Sequence, residues 1–373
     1  MNNSEDYLAV SFLPWAGLKD EIKIGSVIFW PFEMKDEKIK NSEIKEHLAK
    51  YFKSYVDHKG KPVDTITIAS YGNIDFQPLD KDKRSELRSA VNILIFTTIA
   101  PQVKVVLCAN NRSIGPPSSE IFQLITQNFR PMDDNIAVQA GSLLSGGWKI
   151  GEITFSKPWA MGGAFGTPDK ELLNGFNKVF DTFPSNSNVR EKIFRSLEWF
   201  RLSHVESDEV SIVSKVIMMA TAFEIFLQFP QQGKRKYFVE YMENNIASEK
   251  FKKDYRKSKG ERSFQLSLAG CWAWDFYELR SRIVHGDSIL KDDLIYKDWI
   301  THLIVADLVF LEAVKRKLYR YGCIGKNVKT YLEEFDKLCP NEPPGNAEEL
   351  LTRWFLGFDD VHKALGWIGE TEV

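Results

Sequence analysis

From Val189 onward the sequence is written almost entirely in helical period, and this constrains the fold more than any other feature. Val189–Leu202, Asp208–Phe229, Lys234–Lys257, Phe264–His285, Lys297–Tyr321, Val328–Leu338 and Ala347–Leu365 each read as a helix. In the second of these, Val210, Val213, Ile217, Ala220, Phe223 and Leu227 recur at threes and fours, which places them on one helix face. Successive helices with short connections bury such faces against one another, so a bundle is expected.

The first half follows a different pattern. Tyr7–Leu13, Ile24–Phe32, Thr65–Ala69 and Val103–Ala109 are short, rich in Val, Ile, Phe and Thr, and bounded by Gly, Pro or Asp, which predicts strands. Glu152–Phe155 reads as another strand, after a turn at Gly146-Gly147. Ser42–Val56 predicts a helix with Ile44, Leu48, Tyr51, Phe52 and Tyr55 on one face and Ser42 as its N-cap. Asp82–Ala100 also fits a helix, capped by Asp80 or Asp82, although Ile93–Ile99 alone would fit a buried strand. Ser113–Ser118 and Lys157–Pro168, rich in Gly and Pro, read as loops or ligand-facing turns.

The expected fold is therefore α+β. A mixed α/β domain with β-strands spans 1–185; an all-α helical domain spans 189–325; a helical extension spans 326–373. The boundary falls in the polar run Pro184–Asn188. A chain of 373 residues exceeds one ordinary core, and 43% hydrophobic content is enough for two.

Charge excludes little. The net charge of −2 does not announce a nucleic-acid binder, but a local basic patch suffices for one. Cys108, Cys271, Cys323 and Cys339 form no zinc-like spacing and read as free thiols in a reducing compartment. Met1–Tyr7 is polar and acidic, without the look of a signal peptide, and no apolar run is long enough to span a bilayer. A cytoplasmic protein with no membrane partner is expected. The N-terminal half has no P-loop, Rossmann fingerprint or Ser-His-Asp spacing. Asp133-Asp134 is a weak metal candidate, and Trp148 and Trp159 with their glycines form a surface or a hairpin.

Chemistry concentrates in Phe276–Asp287, FYELRSRIVHGD. Trp272, Phe276, Leu279 and Ile283 form an apolar face, and Gly286 is a helix stop. His285 then occupies the last turn, where the negative end of the helix dipole favours the imidazolium and keeps a proton near neutral pH. Arg280 lies about 140° away around an ideal helix, so it meets His285 only if the last turn loosens or two copies of the helix face each other. Plainer roles stand beside this one. His285 reads equally as a helix-end cap, and Arg280 as the partner of Glu224, an acid too costly to bury alone in its apolar run. Arg282 has Glu278 at i,i−4 for a surface ion pair. His204 reads as a cap or solvated, and His302 as structural. The basic stretch Lys250–Arg262 is a solvated helix end or, through Lys252, Lys253, Arg256 and Lys257 interleaved with Phe251 and Tyr255, an RNA contact.

LRSRIVHG resembles the signature of the HEPN superfamily, in which Arg-x4-6-His closes a helix in a small bundle, and more closely its ApeA-like branch, often linked to prokaryotic antiviral defence or toxin action. The resemblance covers residues 190–320 and includes Met219–Leu227 (MATAFEIFL), with Glu224 as the embedded acid. It implies a homodimer in which Arg280 and His285 of two protomers form a composite RNase site, supported by Glu224, Ser281 and Arg282. It also implies RNA as partner, no cofactor or metal, and a regulatory ligand or protein at the N-terminal domain. The reaction implied is attack of the RNA 2′-hydroxyl on the adjacent phosphorus, leaving a 2′,3′-cyclic phosphate and a 5′-hydroxyl. Ser281 stands where many active members carry Asn, Asp or His. It keeps open a non-catalytic module for dimerisation and for binding RNA, nucleotide or a partner protein; a third option is a nucleotidyl- or phosphoryl-transfer accessory that works with a neighbouring protein.

Overall fold

The structure, a computed structural model, describes residues 8–34, 38–71, 76–108, 118–130, 135–140, 144–158, 167–206, 210–246, 252–255, 264–297 and 300–325. The fold is α+β: a five-stranded antiparallel sheet near the N-terminus, followed mainly by helices. Two compact units emerge, one made of residues 1–95 and 118–167, the other of 96–117 and 168–373.

The first unit holds β1 (Leu8–Leu13), β2 (Ile22–Ile24), β3 (Val27–Pro31), α1 (Ser42–Phe52), β4 (Tyr55–Val56), β5 (Thr67–Tyr71), the first half of α2 (Lys81–Cys108), β6 (Ile125–Phe129), β7 (Asn135–Ala140), β8 (Leu144–Lys149) and β9 (Phe155–Ser156). The main sheet runs β2-β3-β5-β1-β6. Residues two apart share a sheet face, so Val10 and Phe12 on β1 and Ile28 and Trp30 on β3 meet one core. The face predicted for α1, Ile44, Leu48, Tyr51, Phe52 and Tyr55, covers that core. Each fully buried aliphatic or aromatic side chain contributes about 1.5–3 kcal/mol of transfer energy. His47 is buried there too, stacked on Phe129 at 5.0 Å.

Several local expectations are corrected. Asn41, not Ser42, caps α1, because its extended backbone lets Oδ1 accept from the Glu43 and Ile44 amides at 2.9 and 3.1 Å. The helix stops at Phe52, and Tyr55–Val56 becomes a strand. Ile24–Phe32 is a hairpin arm broken by Gly25 at φ +59°, not one strand. Gly146 and Gly147 pair within β8 instead of turning. Val103–Ala109 was expected as a strand, yet α2 continues to Cys108. Asp80 is its N-terminal acceptor, taking the Lys83 amide at 2.8 Å. Pro101 sits inside this helix and cannot donate to Thr97, four residues back. The Thr97 carbonyl instead accepts the Asp169 amide at 2.9 Å. Asp169 is the N-cap of α3 (Lys170–Thr182), a helix that sequence patterning missed.

The second unit continues with α4 (Asn188–Ser203), α5 (Ile212–Leu227), α6 (Lys234–Asn245), β10 (Lys252–Tyr255), β11 (Phe264–Ser267), α7 (Leu268–Val284), β12 (Ile295–Lys297), β13 (Ile300–Thr301) and α8 (His302–Arg320). The helix expected through Lys257 ends at Asn245, and the chain returns as the β10–β11 hairpin. The start of α7 explains the break. Ser267 caps it, its Oγ accepting from the Gly270 amide at 3.0 Å. The Glu243 carboxylate accepts from the Ser267 amide and hydroxyl at 2.8 and 2.5 Å. A Cβ on Gly270 would lie 2.1 Å from that carboxylate, so glycine is what permits the approach. The helices expected at Val328–Leu338 and Ala347–Leu365 lie outside the described residues, as do Asp133, Asp134 and Trp159. No helix among the described residues is long and apolar enough to cross a membrane.

Phe96, Phe200 and Phe310 form the aromatic centre of this unit, with Phe200 stacked on Phe310 at 5.6 Å. Beside it lies a buried ion pair, His204 Nε2 to Asp307 Oδ2 at 3.2 Å, with His204 Nδ1 2.8 Å from the Phe200 carbonyl. His204 was expected as a cap or solvated; it is the C-cap of α4, but only 5% exposed.

His302 is the opposite case. It is 6% exposed, packs near Phe276 and Tyr296, and its Nδ1 has no hydrogen-bond partner among the described residues. Burial pushes its pKa down to about 4. Between about pH 6.5 and 4 the unfolded chain takes up a proton that the folded ring refuses, so stability falls with pH across that window. The shift caps this loss at about 3 kcal/mol. His302→Phe should flatten the acid limb; urea titrations at pH 7.0 and 4.5 that show the same difference in both proteins would refute the assignment.

At the end of α5, Gln228 adopts φ +58°, with the Phe229 amide bonded to Glu224 O and the Gln228 amide to Ile225 O. This left-handed position favours glycine. Gln228→Gly should raise stability by about 0.5–1 kcal/mol, read as a higher Tm. An unchanged or lower Tm would show the strain to be relieved elsewhere.

Candidate functional site

Three helices bring the site together. Glu224 lies in the last turn of α5, where a carboxylate meets the negative end of the helix dipole. Lys234 opens α6, where a cation meets the positive end. Each is misplaced for its own helix, and they correct one another by pairing at 2.5 Å, Lys234 Nζ to Glu224 Oε2. From α7 come Tyr277 and Arg280, three residues apart on one face. The Tyr277 hydroxyl donates to Glu224 Oε1 at 2.6 Å, and Arg280 Nη2 pairs with the same oxygen at 3.1 Å. Burial first, then the bond to Glu224, pushes the Tyr277 phenol well above its usual pKa. It therefore stays a donor. The Arg280 guanidinium also lies 5.5 Å from the Tyr277 ring centre, and its Nε is buried without a partner among the described residues. Its side chain is 22% exposed, so one edge reaches solvent.

The sequence expected Glu224 to find a basic partner, and it has two, Arg280 among them. Lys234 and Tyr277 were missed. The signal for Tyr277 was its i,i−3 spacing from Arg280; Lys234 gave no signal, since the turn before α6 brings it to α5.

Arg282 takes a different role from the one expected. It binds Asp293 through both terminal nitrogens, at 2.8 and 3.1 Å, and also the Ser288 carbonyl at 3.2 Å. That hydrogen bonding holds the Asp293 carboxyl below its usual pKa. Glu278, the neighbour expected for Arg282, pairs instead with Arg235, whose guanidinium lies 4.1 Å from the Trp274 ring centre. The tether to Asp293 orders the loop that follows α7, because Asp293 also accepts from the Leu290 amide at 2.8 Å.

The glycine stop is present as expected. His285 is the C-cap, Gly286 has φ +82°, and the Gly286 and Asp287 amides reach back to Ile283 and Arg282 at 3.1 and 3.0 Å. The His285 amide bonds the Ser281 carbonyl at 3.0 Å. The amide of His285 is thus held by the helix end, while its side chain is exposed. Arg280 and His285 are not hydrogen-bonded to each other among the described residues. On an ideal helix they stand about 7.5 Å apart along the axis and face different ways.

The expected RNA contacts at Lys252 and Lys253 fall in β10, a strand rather than a helix end, and Arg256 and Lys257 lie outside the described residues. No three His, Cys, Asp or Glu side chains among the described residues gather as metal ligands. Comparison with family models, with curated proteins and with solved structures finds no match.

Proposed function

We propose that the helical unit is a metal-independent RNA endonuclease of HEPN type, active as a homodimer in prokaryotic defence or stress response. The observation that carries this is the Arg280 guanidinium, fixed by Glu224 with one edge in solvent, on the same helix as the exposed His285. A planar, permanently charged fork suits the developing charge on a transferring phosphoryl group. An imidazole suits removal of the 2′-hydroxyl proton and its return to the 5′-oxygen. Since the two face different ways around one helix, the second copy supplies the missing partner.

One observation favours a second reading, a non-catalytic module that dimerises and binds RNA, nucleotide or a protein. Arg280 already pairs with Glu224 within its own chain, as in a structural ion pair. Mixed RNA incubated with the protein in EDTA separates the two. Cutting that persists in EDTA, spares DNA and disappears in Arg280→Ala and in His285→Ala is the expected result. RNA left intact under all conditions, or cut equally by the variants, overturns it.

A further inference from the structure

The first unit contains a cavity that the reading above leaves unused. It measures about 370 Å³ and opens between the last turn of α1 and the turn Ile150–Thr154. That volume falls within the range of small-molecule sites.

The local chain explains how it forms. After α1 ends, Ser54 enters β4, which pairs in parallel with β9. The Ser54 amide donates to the Tyr51 carbonyl at 3.0 Å, and its carbonyl accepts the Phe155 amide at 2.7 Å. Both backbone groups of Ser54 are therefore used. Its hydroxyl is not: Oγ is buried, the residue is 3% exposed, and no hydrogen-bond partner among the described residues meets that oxygen. Buried hydroxyls without a partner are rare in native proteins and point to something that completes them.

The surroundings say what that would be. The C-terminal end of α1 carries partial negative charge, which would repel an anion, yet Lys50 and Lys53 both line the cavity and bring positive charge to its rim. No carboxylate among the described residues lines it. Thr154 adds a second hydroxyl, and Ile150 and Ile153 give an apolar wall. Gly151 turns the opposite edge at φ +96°, with no atom of the described residues within 4 Å of where its Cβ would be.

We propose that this cavity binds a small phosphorylated molecule. Ser54 Oγ and Thr154 Oγ1 donate to phosphate oxygens, Lys50 and Lys53 supply the charge, and Ile150 and Ile153 contact the organic body. The site is independent of RNA cleavage by the other unit, and either reading stands if the other falls.

The test uses the full chain and calorimetric titration with AMP, CMP and ribose 5-phosphate, beside adenosine, cytidine, ribose and inorganic phosphate. At least one ester should bind at least tenfold more tightly than its unphosphorylated parent and than inorganic phosphate. Its affinity should fall about tenfold in Ser54→Ala, as expected for loss of a hydrogen bond to a charged group. Lys53→Gln and Thr154→Val, both at exposed positions, should weaken binding with an unchanged Tm, which separates loss of the site from loss of the fold. Failure of all three esters to bind better than their parents, or esters that bind these variants as well as the wild type, overturns the proposal.

Discussion

Replacing Asp307 by alanine should remove about 3–5 kcal/mol from the stability of the helical unit, measured by urea denaturation followed by far-UV circular dichroism. The pair it breaks is 3–4% exposed on both sides, so water cannot take the place of the lost carboxylate. His204 Nε2 would lose the carboxylate it meets, while Nδ1 keeps the Phe200 carbonyl at 2.8 Å and the Ser203 hydroxyl at 3.1 Å. The pH profile identifies the cause. Burial opposes the charge on His204, but the Asp307 carboxylate and the Phe200 carbonyl outweigh it, so the folded ring titrates above the usual histidine value. The pair's contribution is complete below about pH 6.5 and is lost as pH rises through the raised folded value. Asp307→Ala should therefore be closer to wild type at alkaline pH than at pH 6. The positive Lys215 acts against the charged ring and sets the limb lower than the pair alone would. The double variant His204→Phe, Asp307→Leu should recover most of the loss, since a well-packed apolar pair replaces a buried ionic one at little cost. A single variant within 1 kcal/mol of wild type would mean the pair is not formed.

His285→Ala should lower RNA cleavage by about 10²–10⁴-fold, the contribution of a positioned acid–base group. Because the side chain is exposed and the cap is made by backbone, the same change should move stability by no more than about 0.5 kcal/mol. Loss of rate without loss of fold distinguishes catalysis from capping. Arg280→Lys keeps the charge and the pairing to Glu224 but loses the fork, and should cost about 10²–10³-fold. A folded His285→Ala protein that cleaves at the wild-type rate would end the catalytic reading.

The α+β plan and most of the long helices were legible in the sequence because they carry their own period, whereas α3 and the strands β6, β7, β8, β10 and β11 were not. The apolar stripe of α1 and the glycine after His285 could both be read locally. What could not be read was set by tertiary partners. Val103–Cys108 has the composition of a strand, but it continues a helix whose interruption at Pro101 is absorbed by the Asp169 amide. The end of α6 depends on Glu243 reaching the cap of α7, a bond across 24 positions. The cue that marks Glu224, an acid in an apolar run, applies equally to Asp307 in HLIVADLVFLEA, whose partner is the distant His204. The pairing assumed for Arg282 used helix neighbours, whereas the geometry joins it to Asp293 in the next loop.

The Glu224 cluster has a consequence for anything negatively charged that comes to it. Two cations face one carboxylate there, so a surplus positive charge remains while the strongest acceptor is already seated. Glu224 thus acts as a tethered rival: an incoming oxyanion must share Arg280 with a group held permanently in place. The protein gives up tight capture in the resting state and gains a guanidinium that never has to be ordered when the visitor arrives.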